Sequence, residues 1–167
     1  MGGAIAIQFA INFPDKLKAL ILMNPGPGTL FPKGFPLMPT ILSLVSQKRT
    51  LLKPFLKSVL INPLPPEELP EFVDDAILVS KETWRQYLHP QNTIQDFGKL
   101  KSLEVPTLVI IGEKDKTIPI EFQESIAETI PRATMVFMNN EGHAVVIENP
   151  EKVLCEIISF LMNACVE

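Results

Sequence analysis

The chain has 167 residues, 46% of them hydrophobic, with 15 Lys or Arg set against 19 Asp or Glu for a formal charge of −4. This suits one globular domain with enough apolar material to bury a core. A pI near 5.3 gives no reason to expect nucleic acid or an anionic membrane surface as a partner.

Residues 2–13 (GGAIAIQFAINF) predict a helix with apolar residues all round it, the pattern of a buried helix. Pro14-Asp15 ends it. Leu17 to Met23 (LKALILM) is a short apolar run bounded by turn signals, as expected of a buried parallel strand. The run Asn24-Pro25-Gly26-Pro27-Gly28 breaks it.

The composition then shifts, and ten of the sixteen prolines lie from Pro25 to Pro70. The stretches between them (LMPTILSLVSQ, LLKPFLKSVLI) predict short helices cut by prolines. Two further amphipathic helices are expected over Glu67–Ser80 and Glu82–Phe97. Residues 28–98 offer no strand pattern and read as a helical insertion.

Alternation resumes at Val105. Pro106–Gly112 (PTLVIIG) predicts a second buried strand, and Pro119 suits the first position of a helix running to about Ile130. Thr134–Met138 predicts a third strand. Asn149 is placed as the N-cap of a last helix, with Pro150 at its first position. The order is helix, strand, helical insert, strand, helix, strand, helix. It implies an α/β fold: a parallel sheet covered by helices. Functional groups in such sheets gather at the carboxyl ends of the strands. Asp115 follows one strand and His143 the next, so both are expected at one edge, within hydrogen-bonding reach.

Cys155 and Cys165 fall ten residues apart on the last helix, about 15 Å along its axis and too far for a disulfide. Free buried thiols in a reducing, cytoplasmic compartment are expected. No run is long enough to span a membrane. The N-terminus lacks the positive region of a signal peptide. Met1-Gly2 invites a myristoylation reading, but Ala6 stands where that motif wants Ser or Thr. No His/Cys cluster has metal-ligand spacing and no glycine loop resembles a phosphate cradle, so neither metal nor cofactor is expected.

Three blocks resemble the C-terminal portion of an α/β-hydrolase-fold protein. MGGAIAIQFAINFPDKLKALILMNP resembles the helix after the nucleophile elbow and the strand that follows. VPTLVIIGEKDKTIP resembles the strand and loop presenting a triad acid. NNEGHAVVIENPEKV resembles the histidine loop and final helix. The resemblance implies a partial α/β-hydrolase fold with the last three strands. Core segments would be 1–27 and 99–167, and residues 28–98 would be a helical cap.

The resemblance also implies roles. His143 would be the general base and Asp115 the acid that fixes its tautomer. The backbone N–H of Met1 would be half of an oxyanion hole if the chain extends upstream, with Gly2 and Gly3 packing the turn tightly. The chain opens where the residue after the nucleophilic serine would stand. On this reading it carries two triad members without a nucleophile and is inactive alone.

Met-Gly-Gly resembles the serine esterase and lipase branches, so the implied ancestry is a serine hydrolase of carboxylic esters. An apolar cap suggests small apolar ester or acyl substrates. Trp84, Phe35 and Leu42, with Phe31, Phe55 and Tyr87, could line an acyl pocket, though ordinary cap core explains them as well. His89 is expected to be a solvated or capping histidine. Glu113 and Glu141 read as solvated loop charges.

The alternative is a non-catalytic ligand-binding or partner-pairing module. Its partner would be a separate N-terminal half chain, or a second copy meeting an open edge at strand 17–23. That edge makes the isolated chain a poorly stable monomer in expectation.

Overall fold

In a computed structural model of the chain, the described residues are 2–26, 44, 46–65, 67–87 and 97–164, with the side chains of 55, 58, 59 and 87 excluded. The elements in order are α1 (Gly2–Asn12), β1 (Leu20–Met23), α2 (Arg49–Val59), α3 (Glu68–Leu78), α4 (Lys81–Tyr87), β2 (Thr107–Gly112), α5 (Ile120–Thr129), β3 (Ala133–Met138), α6 (Val145–Glu148) and α7 (Pro150–Ala164). Short 3-10 turns cover Pro14–Lys16 and Phe97–Ser102.

The strands form a parallel sheet in the order β1-β2-β3. Leu20 pairs with Thr107, and Thr107 with Ala133. The central strand is buried along its whole length, which explains why its sequence is a continuous apolar run rather than an alternation. Its side chains still divide by parity. Val109 and Ile111 join Ile7 and Ala10 of α1 and Ile126 and Ala127 of α5 in one core cluster. Leu108 and Ile110 face the other way, onto Val145 of α6 and Val153 of α7. Each of the Val, Leu and Ile side chains among these contributes about 1.5–3 kcal/mol by leaving water. The result is a sheet sandwiched between two helix layers.

A separate cluster holds the helical segment together: Leu52 and Leu56 of α2 against Leu69 and Val73 of α3. An Arg49–Asp74 ion pair adds to it at the surface. Pro54 lies inside α2 instead of cutting it. Packing by Leu52 and Leu56 on either side of the proline offsets the backbone bond that it removes.

Other expectations also need correction. α1 is not buried all round. Ala4, Ile7 and Ala10 face the core, while Ile5 (63% exposed) and Phe9 (45%) face outward. Pro119 is the N-cap of α5, one position before the helix. Of the helix expected over 82–97, the part over Lys81–Tyr87 is seen, residues 88–96 lie outside the described residues, and Phe97 begins a 3-10 turn instead. Cys155 is a free thiol but exposed, because it sits on the outer face of α7. Cys165 lies outside the described residues. Asn149 caps α7 as expected, its Oδ1 accepting from Lys152 N at 3.3 Å. Among the described residues, no helix is long and apolar enough to cross a membrane.

Candidate functional site

The carboxyl ends of all three strands meet at one edge. β1 finishes at Met23, and the N–H of Asn24 still reaches Ile110 O at 2.9 Å. β2 finishes at Gly112, and the turn after it is stitched to the loop after β3. Glu113 N donates to Met138 O at 2.9 Å and Lys114 N to Glu141 O at 3.0 Å. Gly112 is required for this closeness. A β-carbon there would run into the carbonyl oxygen of Gly142 and come within 2.8 Å of that of Glu141. The acid loop and the histidine loop are therefore in backbone contact, and only a residue without a side chain lets them be.

Asp115 and His143 meet as the spacing predicts. His143 Nδ1 lies 2.8 Å from Asp115 Oδ2. The carboxylate side chain is fully buried, and 29% of the imidazole is exposed. Four further donors surround the carboxylate. Thr117 N (2.7 Å) and Ile118 N (3.0 Å) donate to Oδ1. Asn24 Nδ2 (2.9 Å) and Gln123 Nε2 (3.0 Å) donate to Oδ2. Burial pushes the Asp115 carboxyl up. The hydrogen bonds from His143, Ile118 and Thr117 outweigh it, and hold the group below its ordinary value. An ionised acceptor at Nδ1 selects the tautomer that carries its proton there. Nε2 is left as a bare acceptor, and no described residue bonds it.

The remaining loop residues hold this pair in place. Glu141 is buried, contrary to the solvated charge expected, whereas Glu113 is exposed. Burial works against the ionised form of Glu141. Bonds from Asn149 Nδ2 (2.6 Å) and Asn140 N (3.0 Å), with the nearby Lys152 charge, lower its carboxyl below the usual value. Glu148 of α6 accepts from the backbone of Gly142 at 3.1 Å, and from Ile61 (3.2 Å) and Asn62 (3.0 Å) after α2. It thereby ties the helical segment to the residue preceding His143.

Asn24, Gln123 and Glu148 were not singled out by the sequence. Asn24 stood after a predicted strand, in the position that faces the strand-end edge, and was the one available signal. Gly3 packs the start of α1 against Pro25, where an added β-carbon would lie 3.2 Å from the proline Cα, while Gly2 meets nothing. The amino end of α1 therefore lies beside this same edge. Met1, Phe35, Leu42, Phe31 and His89 fall outside the described residues, as do the side chains of Phe55 and Tyr87. Trp84 is half-buried on α4, and its Nε1 donates to Ala76 O of α3 at 3.4 Å. Among the described residues, no group of three or more His, Cys, Asp or Glu is placed to hold a metal.

The family described as serine aminopeptidase, S33, matches residues 1–150. The chain belongs to this α/β-hydrolase family. It is 27% identical over 158 residues to Lipase 3 of Moraxella sp. (strain TA144), covering 89% of this chain and 49% of that protein. To 2-hydroxymuconate semialdehyde hydrolase of Pseudomonas putida it is 28% identical over 174 residues, covering 98% and 60%. The fold matches that of an esterase from Exiguobacterium antarcticum with a TM-score of 0.81 at 20% identity, covering 96% of this chain and 63% of that one. The chain thus spans about half to three fifths of the length of these curated relatives.

Proposed function

We propose that these 167 residues supply the acid and the general base of a serine hydrolase acting on carboxylic esters with apolar acyl groups. The observation that carries this reading is the 2.8 Å contact between a fully buried Asp115 carboxylate and His143 Nδ1. The nucleophile comes from residues outside this chain, and the chain alone turns over no ester. In the assembled enzyme the serine hydroxyl passes its proton to His143 Nε2 as its oxygen attacks the ester carbonyl. Asp115 stabilises the imidazolium so formed. The proton then goes to the departing alcohol, and the acyl-enzyme is hydrolysed by the same base acting on water. The segment 28–98, which includes α2, α3 and α4, serves as the cap over the acyl group, and Trp84, Phe35 and Leu42 are its candidate acyl-contacting residues.

Three measurements test this. Intact mass of the protein from its native source should exceed 18.6 kDa if Met1 is internal and its N–H completes the oxyanion hole. The isolated chain should show no esterase turnover above background. Mixing it with a separately made segment bearing the serine should restore turnover, and His143→Ala should abolish it. Turnover by the isolated chain would refute the reading.

A second reading, a partner-pairing module, is favoured by two observations. Among the described residues β1 pairs on one side only. Two helices on opposite faces of the sheet keep exposed apolar stripes: Ile5, Phe9 and Phe13 at the end of α1, and Leu154, Ile158 and Met162 on α7. Unpaired strand edges and apolar patches invite association. If the module only pairs, the complex should form and tolerate His143→Ala without any turnover to lose.

A further inference from the structure

Asn24 has a left-handed backbone, with φ of 45°. Asparagine tolerates this region better than most residues, so a turn residue is the simplest account of it. A turn role, however, asks the side chain to bond at most its own local backbone. That of Asn24 is buried. Its Nδ2 donates to Asp115 Oδ2 at 2.9 Å and to the backbone oxygen of Gly142 at 3.2 Å. Both neighbours are acceptors, which fixes the amide's orientation: the flipped group would set its oxygen against two oxygens. The Oδ1 left behind is buried, with no donor among the described residues. A buried carbonyl without a partner is an arrangement that proteins avoid unless the rest of the group is engaged elsewhere.

We propose that Asn24 is a positioning residue that sets the acid against the base. One amide hydrogen holds the carboxylate of Asp115. The other holds the carbonyl immediately before His143. The two loops leave β2 and β3, and Asn24 at the end of β1 spans both. It acts through Asp115 and Gly142 and does not itself meet the imidazole. Gln123 shares the hold on Oδ2 but anchors its second hydrogen on Ile118 O at 3.1 Å, within the acid loop. It therefore cannot tie the two loops together. The mechanistic importance of the tie rests on Asp115 and His143 being acid and base; its existence does not.

The test is nitrogen-15 NMR of the His143 ring in the parent and in Asn24→Gly. Glycine suits a positive φ better than asparagine does, so the substitution serves the turn and removes only the amide. The thermal midpoint should stay within a few degrees. The share of the Nδ1–H tautomer should fall by about twofold or more, and its proton should exchange roughly tenfold faster. A folded variant with unchanged tautomer and exchange would leave Asn24 as a turn residue and overturn the proposal. If the variant does not fold, the parent decides the matter. The Asn24 side-chain amide protons should exchange slowly, as buried hydrogen-bonded ones do, and exchange at the rate of a free amide overturns the proposal. Neither readout involves turnover, so a failed esterase assay would count against the functional reading alone.

Discussion

Replacing Glu148 by alanine should loosen the helical segment from the histidine loop. The half-buried carboxylate accepts from three backbone N–H groups: Gly142 at 3.1 Å, Ile61 at 3.2 Å and Asn62 at 3.0 Å. It also accepts from Asn62 Nδ2 at 3.3 Å. A hydrogen bond to a charged group contributes about 1.5–3 kcal/mol when dry. Partial exposure lets water replace some of it, so each of the three backbone bonds keeps about half of that value. Glu148→Ala should therefore cost about 2–4.5 kcal/mol, and Glu148→Gln, which keeps an acceptor oxygen, about half as much. Urea unfolding gives the global value, and amide exchange gives the local one. Exchange at Ile61, Asn62 and Gly142 should accelerate roughly 10- to 100-fold, since about 1.4 kcal/mol corresponds to a factor of ten. A loss below about 0.5 kcal/mol with unchanged exchange at all three amides would show that water serves these donors equally well. The carboxylate would then be no clamp.

Gly112→Ala should destabilise the fold by about 2–3 kcal/mol, since its methyl group meets the carbonyls of Gly142 and Glu141. A thermal midpoint unchanged to within a degree or so would contradict the close approach described for the two loops. In the reconstituted enzyme, Asp115→Asn should lower kcat by about 10³- to 10⁴-fold with little change in KM, because the imidazole loses its tautomer partner. Activity within roughly tenfold of the parent would remove Asp115 from that role. Folding places both Asp115 and Glu141 below their ordinary carboxyl values. Their contribution to stability is complete above the unfolded carboxylate range, about pH 4, and is lost as pH falls through the lower folded values. Denaturant midpoints measured down the acid limb should decline less steeply in Asp115→Asn than in the parent. Parallel curves would contradict the shift.

The strands were legible in the sequence because each is a short apolar run closed by turn residues. That pattern survives whatever packs against it. Asp115 and His143 were legible for a related reason: parallel strands deliver the loops that follow them to one edge. What supports the pair was less legible. Asn24 and Asp115 are 91 residues apart, and a single amide carries no periodic signal. Glu141 reads as a surface charge until its partner Asn149, eight positions on, is seen folded back onto it. α6 is four residues long, too short for helical periodicity to register. The helical segment misled in the opposite direction. Proline chemistry argued for a break at Pro54, and the apolar contacts of α2 with α3 overrode it. The all-round apolar pattern of α1 hid the fact that only one of its faces meets the sheet.

The register of the sheet also sets the order in which it can assemble. Thr107 and Ala133 are 26 positions apart, whereas Leu20 and Thr107 are separated by 87, with the whole helical segment between them. Closing a loop costs about (3/2)RT ln n, so joining β1 to β2 costs about 1 kcal/mol more than joining β2 to β3. The unit β2–α5–β3 can close on itself as soon as it leaves the ribosome. β1, made long before and packed against α1, cannot pair with β2 until residue 107 has been added. The strand that leads into Asn24 is thus the first of the three to be synthesised and the one with the longest loop to close onto β2. The tie between acid and base is completed only when the sheet is.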